Sequence, residues 1–287
     1  MACVSCKSEK TEGENPFFSA WETPYGVPPF DKIRAEHFLP ALERGMSLHD
    51  AEIDAIASNN DDPTFGNVIE AYDAAGGMLA RTELVFGMLC AAENTPELQA
   101  LQERAMPLLA AHADEIRMNE RLFGRIKAVY DRREALPLTA EQRRLTEKLY
   151  RRFVRSGALL DEAGKRRLKE INGDLSRLSV KYGNNLLHEN DAFGLELTAD
   201  RLEGLPNAVR EAAREKAQAA GLGDKSYLFT LHKPSMLPFL SYAKDRKLRE
   251  ELYTAYLDRC NHGDEYDNKA LVNDYIRLRT EKAHLLG

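Results

Sequence analysis

Apolar residues recur at three- and four-residue intervals along almost the whole chain, and this rhythm commits it to helices packed on one another. Phe38, Leu42, Met46, Ile53 and Ile56 mark a first stripe, which Asn59-Asn60-Asp61-Asp62-Pro63 ends. Val68, Tyr72, Leu79, Val85, Phe86 and Leu89 mark a second, with Thr64 placed to cap it and Gly76-Gly77 placed to kink it or to admit a close helix crossing. Thr95-Pro96-Glu97 supplies a third start: a capping hydroxyl, a proline where no amide hydrogen is needed, and an acid beside the positive helix end. Met106-Pro107 predicts a bend in that helix and Asn119 a break, after which Leu122, Ile126 and Val129 continue. Thr139-Ala140-Glu141-Gln142 fits a capping box ahead of Leu145, Leu149 and Phe153, and Ser156-Gly157 stops that helix. Asp161 caps the next, in which Leu168, Ile171, Leu175, Leu178 and Tyr182 form a heptad-like seam that predicts an antiparallel hairpin with its predecessor.

Two runs depart from the helical rhythm. Phe193, Leu195 and Leu197 alternate with Gly194 and Glu196, and Tyr227-Leu228-Phe229-Thr230-Leu231 is rich in strand formers. Asn207 to Ala220 between them is rich in Ala, Glu, Arg and Lys and predicts a helix closed by Gly221. Pro234 and Pro238 open a short helix, Leu248, Leu252, Tyr256 and Leu257 define another, and Leu271, Tyr275, Leu278 and Leu285 a last one ending near Gly287. Ahead of all this, Pro16, Pro24, Pro28 and Pro29 among Trp21, Tyr25 and Phe30 predict an extended arm held by aromatic anchors. The fold class expected is mainly α: a layered helical body with long antiparallel helix hairpins and a small two-stranded β insertion at about residues 193–231. Residues 1–15 read as a flexible tether and residues 16–287 as one helical portion.

Forty Lys plus Arg against 46 Asp plus Glu leave a formal charge of -6, so the global electrostatic footprint of a nucleic-acid binder is absent. Basic runs such as Arg143-Arg144, Arg151-Arg152 and Lys165-Arg166-Arg167 alternate with acids and read as solvated helix faces. No run of 18 apolar residues exists, since even Leu84 to Ala92 is flanked and broken by Glu83, Gly87 and Glu93, and no transmembrane segment is expected. Cys90 and Cys260 read as buried thiols. Cys3 and Cys6 form a C-x-x-C with no second pair to complete a zinc site, and Met1-Ala2-Cys3 before a polar stretch suggests a lipid anchor at Cys3.

A helical metallopeptidase needs two His at i and i+4 with a Glu after the first, so that both imidazoles face one metal and the carboxylate reaches its water. His37, His49, His112, His188, His232, His262 and His284 contain no such pair. His188-Glu189 begins like the motif, but Ala192 stands where the second ligand belongs, and these histidines read as surface or capping residues. Gly221-Leu222-Gly223-Asp224-Lys225-Ser226 is an imperfect phosphate loop, because Asp224 replaces the glycine before the lysine; it reads as a helix stop and turn.

Longer strings carry more information. Val27-Pro28-Pro29-Phe30-Asp31-Lys32-Ile33 is followed by Glu36-His37-Phe38-Leu39-Pro40-Ala41 and Asp62-Pro63-Thr64-Phe65-Gly66-Asn67-Val68-Ile69. Glu170-Ile171-Asn172-Gly173-Asp174-Leu175-Ser176, Leu248-Arg249-Glu250-Glu251-Leu252-Tyr253 and Glu281-Lys282-Ala283-His284-Leu285-Leu286-Gly287 come later. In this order the strings resemble the thimet-oligopeptidase-like zinc metallopeptidases, in particular the bacterial peptidyl-dipeptidase and oligopeptidase A branch, from about Asn15 to Gly287. The resemblance implies a longer enzyme with a deep cleft, whose H-E-x-x-H helix, third acidic ligand and substrate-binding tyrosines follow the segment matched here. It implies that this chain is the N-terminal cleft wall, with no catalytic and no metal-binding residues, unassigned substrate-binding residues and no activity alone. Zinc would belong to the complete enzyme, none being bound by this chain. The substrates implied are short peptides with a free C-terminus, cleaved to dipeptides in the cytoplasm or periplasm. The alternative is a stand-alone, non-catalytic helical domain that binds peptides or a protein.

Overall fold

The computed structural model describes residues 15–287. Cys3, Cys6, the lipid expected on Cys3 and all but the last residue of the expected tether lie outside the described residues. Among the described residues eleven α segments and two strands follow in order: α1 Ala35–Ser58, α2 Ala71–Ala74, α3 Gly77–Ala92, α4 Pro96–Arg117, α5 Glu120–Asp131, α6 Ala140–Arg155 and α7 Glu162–Ala192, then β1 Leu195–Leu197, α8 Asn207–Ala219, β2 Tyr227–Phe229, α9 Lys233–Tyr242, α10 Arg246–Leu257 and α11 Lys269–Leu286. The fold is therefore mainly α with a small β insertion. The chain divides into two compact units, one running to Arg177 and including Leu278–Gly287, the other Leu178–Arg277.

In the first unit the start signals act as their chemistry requires. The hydroxyls of Thr64, Thr95 and Thr139 accept from the amides of Asn67, Leu98 and Gln142, and the Asn119 carboxamide accepts from Leu122. Asp161 accepts from Gly164 at 2.7 Å. The His37 ring accepts from the Arg34 amide at 3.0 Å, which gives α1 a cap from within its own first turn. The helix break expected at Gly76-Gly77 is present: Gly76 sits at φ +77°, and its amide donates to Glu52 at 2.6 Å. A close crossing occurs elsewhere, at Gly45 of α1, where a Cβ would lie 2.9 Å from the Leu79 Cα of α3. That break also interrupts Phe65–Ala92, whose best 18-residue window reaches a mean hydropathy of only 1.2. Val68, Ile69, Leu79, Val85 and Phe86 from this segment fill the protein's own cores.

Two apolar clusters hold the unit. One joins α1, α5 and α6 through Ile53, Leu122, Ile126, Leu149 and Phe153. α5 and α6 form an antiparallel hairpin in which Tyr130 stacks on Tyr150 at 3.9 Å and Phe123 on Phe153 at 6.2 Å. The other gathers Phe17, Phe38, Leu42 and Phe86. Phe17 belongs to the proline-rich arm and is wholly buried; the Trp21 indole donates to Pro16 and the Arg81 guanidinium to the Phe17 carbonyl. Each such fully buried Phe or Leu contributes about 1.5 to 3 kcal/mol of transfer free energy.

In the second unit β1 and β2 pair antiparallel, with Leu195 opposite Phe229 and Leu197 opposite Tyr227. Leu195, Leu197 and Phe229 face a core completed by Phe239 and Leu252. Alternation puts Glu196 outside, as a half-covered sheet requires.

Candidate functional site

The C-terminal part of α7 and the N-terminal part of α11 lie together in the second unit, and what holds them is polar. Asn185 donates to Asn268 at 2.9 Å, and Asn268 donates to the Tyr182 carbonyl at 3.2 Å; both asparagines are buried. Asn268 also gives its backbone carbonyl to the Val272 amide, so one residue starts α11 and fastens it to α7. The loop before it is fixed by Asp267, which accepts from Gly263 at 2.7 Å and Lys269 at 2.8 Å. Those amide hydrogen bonds and the Lys269 ammonium hold the Asp267 carboxyl below its usual range.

Above this polar lock the two helices leave a groove of about 350 Å³ lined by Leu178, Tyr182, Leu271, Val272, Tyr275 and Ile276. Of the α11 residues only Leu278 is buried, and Ile276 is 58% exposed. The apolar side of α11 is thus wider than the stripe that its neighbour covers, the pattern expected of a docking face rather than of a finished core. Sequence reading found Leu271, Tyr275 and Leu278 but passed over Val272 and Ile276, whose i, i+4 spacing was the available signal.

A larger concavity, about 620 Å³, opens among α8, β2 and α9, with Val209, Ala212, Lys216 and Phe229 on its walls. Two of its polar members, Ser235 and His232, already have local partners. Ser235 accepts from the Thr230 amide at 3.0 Å, and His232 pairs with Asp191 at 3.0 Å.

Four further histidines are similarly engaged. His188 stacks on Tyr266 with ring centroids 3.5 Å apart, and its neighbour Glu189 takes His262 at 3.1 Å, so the two residues of the half-motif serve local packing. His49 and His112, 63 positions apart and unlinked by any sequence signal, meet at 3.1 Å, with Asp50 3.4 Å from the other nitrogen of His112. Burial, then the neighbouring His112, push the His49 pKa down. Among the described residues no three His, Cys, Asp or Glu side chains converge in a manner suited to a metal ion, so these donors do not fit a zinc site. Cys260 is buried and its pKa is pushed up to about 11, chiefly by desolvation, which keeps it a protonated thiol at neutral pH. Gly221 at φ +73° and the Ser226 amide bonded to the Gly223 carbonyl make Gly221–Ser226 a turn into β2.

No family model matches the chain. It is 37% identical over 274 residues to the dipeptidyl carboxypeptidase of Escherichia coli (strain K12), an alignment covering 95% of this chain and 40% of that protein. It is 30% identical over 289 residues to the probable cytosolic oligopeptidase A of Arabidopsis thaliana, covering 98% of this chain and 40% of that one. Oligopeptidase A of Escherichia coli (strain K12) is 29% identical over 270 residues, or 39% of its length. The chain spans about 40% of the length of these curated relatives.

Proposed function

From the premise that this chain is homologous over almost its whole length to dipeptidyl carboxypeptidase and oligopeptidase A, peptidases of the thimet-oligopeptidase family, we propose that it is the N-terminal, cleft-wall portion of a zinc-dependent peptidyl-dipeptidase. One observation carries the reading: 95% of the chain aligns at 37% identity, yet the alignment accounts for 40% of the relative. In this reading the zinc ligands and the groups that act on the peptide bond belong to the remaining length. The residues described above shape the wall that admits short peptides with a free C-terminus. The apolar groove of α7 and α11 supports it, because a cleft wall needs a further part of the protein against such a face. The activity would lie in the cytoplasm or periplasm, and the expectation of a lipid at Cys3 stands beside it.

Hydrolysis of a blocked short peptide with a free C-terminus, measured with zinc content on the same sample, tests the proposal. The 287-residue chain is expected to hold no zinc and release no product. A chain extended to the length of the relatives is expected to release dipeptides in a chelator-sensitive way. Stoichiometric zinc and dipeptide release by the 287-residue chain would overturn the assignment, and longer products from the extended chain would replace peptidyl-dipeptidase with oligopeptidase.

A further inference from the structure

Charge is distributed very unevenly along this chain. Between Arg121 and Lys169 stand fifteen Lys and Arg against six Asp and Glu, a surplus of nine positive charges in a chain of net -6, so everything outside that stretch carries -15. The structure puts part of the surplus on one helix face. Arg144, Lys148, Arg151 and Arg155 of α6 follow at intervals of four, three and four, and all four are exposed. Arg144 pairs with Glu147 at 3.1 Å. Lys148, Arg151 and Arg155, with Arg152 beside them, have no acidic partner among the described residues. Other cations of the same stretch do: Lys127 holds Asp131, Lys165 holds Glu120, and Arg167 holds Glu170 and Glu281. Helix polarity accounts for Arg152 and Arg155, which lie in the last turn, but not for Arg144, Lys148 or Arg151.

We propose that this face of α6 is a docking surface for an acidic polypeptide segment. The stripe runs for roughly 16 Å at 1.5 Å per residue, which spans about five residues of extended chain. Guanidinium groups dominate it, and their planar forks suit carboxylates. Arg133 and Arg143 nearby each lie 3.6 Å from Glu134 and are already engaged, which leaves the stripe itself as the surface able to take carboxylates. Single-stranded nucleic acid fits less well. It binds such surfaces by stacking bases on aromatic rings, whereas Tyr130 and Tyr150 are stacked on each other and Arg133 lies 4.0 Å from the Tyr130 centroid. A long polyanion would also run into the field of the remaining -15. An anionic membrane would need an apolar anchor, and beside the stripe the described residues offer one exposed large apolar side chain, Leu159, just past the end of α6.

The test is fluorescence anisotropy of the 287-residue chain with a labelled oligoglutamate peptide, its glutamine analogue as control, at low and physiological salt. Binding is expected for the glutamate peptide alone and is expected to weaken with salt. The variant R151E/R155E, checked for unchanged far-UV circular dichroism, is expected to bind about tenfold or more weakly, and R151K/R155K to keep most of the affinity. Equal affinity of R151E/R155E, absence of oligoglutamate binding, or binding of oligothymidylate or phosphatidylserine vesicles without binding of oligoglutamate would each overturn the proposal.

Discussion

Leu168, Ile171 and Leu175 of α7 are buried in the first unit, whereas Leu178 and Tyr182, which continue the same alternation of spacings, line an open groove in the second. The stripe is one sequence pattern with two outcomes. Periodicity decides which side chains share a helix face, because 3.6 residues make a turn. Whether that face is covered depends on what lies against it, and the tip of α11 covers less than its own apolar width. Burial, not spacing, therefore separates the part of the stripe that stabilises the fold from the part available for docking.

The largest expected effect sharpens this contrast. Ile171→Ala should cost about 2 to 5 kcal/mol in chemical denaturation, since a fully buried side chain leaves a cavity, while Tyr182→Ala should stay within about 0.5 kcal/mol. Equal losses would show that the groove is as well packed as the core. Asn268→Ala comes next, at about 1 to 3 kcal/mol, because it leaves the buried Asn185 amide without an acceptor.

A smaller effect should appear with pH in the first unit. His49 faces His112, Glu52 and Asp50, and its folded pKa lies below the ordinary 6.5. The unfolded chain binds that proton first, so this contribution to stability is intact above pH 6.5 and declines as pH falls toward the lowered folded value. His49→Gln should flatten this part of the stability profile; an unchanged profile would assign the pH dependence elsewhere. The smallest change in stability is expected for the pair Val272→Ser and Ile276→Ser, within about 0.5 kcal/mol. The same pair should reduce hydrophobic-dye binding and self-association, because it removes apolar surface already in water. Unaltered dye binding would place the sticky surface outside the groove.

Much of the fold was legible because it is written in local chemistry. Thr64, Thr95, Asn119, Thr139 and Asp161 act as caps within three residues of what they bond, so a short window contains both partners. Phe193 to Leu197 and Tyr227 to Leu231 were recognisable as strand-like, although the strands themselves shrink to Leu195–Leu197 and Tyr227–Phe229. The break and the close approach at Gly76, against His49 and Glu52 of α1, were legible, whereas the tighter backbone crossing at Gly45 was not, because its only distinction is its neighbour Leu79 in space. Long-range partners of the helices show the same limit. The aromatic stacks tie α6 to α5, while Arg167 and Asn172 of α7 find Glu281 and Lys282 on α11, and Asn185 finds Asn268 just ahead of α11. Acid and base runs on α6 were likewise visible, but which of the cations lacked partners was not.

By itself the sequence determined the helix starts and stops, the mainly α class, the two short strands, the family resemblance and the want of an H-E-x-x-H pair, because each depends on residues near one another in the chain. Only the tertiary structure decided that His49 meets His112, that Asn185 and Asn268 lock two helices, that Val272 and Ile276 stay in water, and that Lys148, Arg151 and Arg155 have no acidic partner among the described residues. Those outcomes depend on which faces meet across tens of residues, and helical periodicity carries the face without carrying its partner.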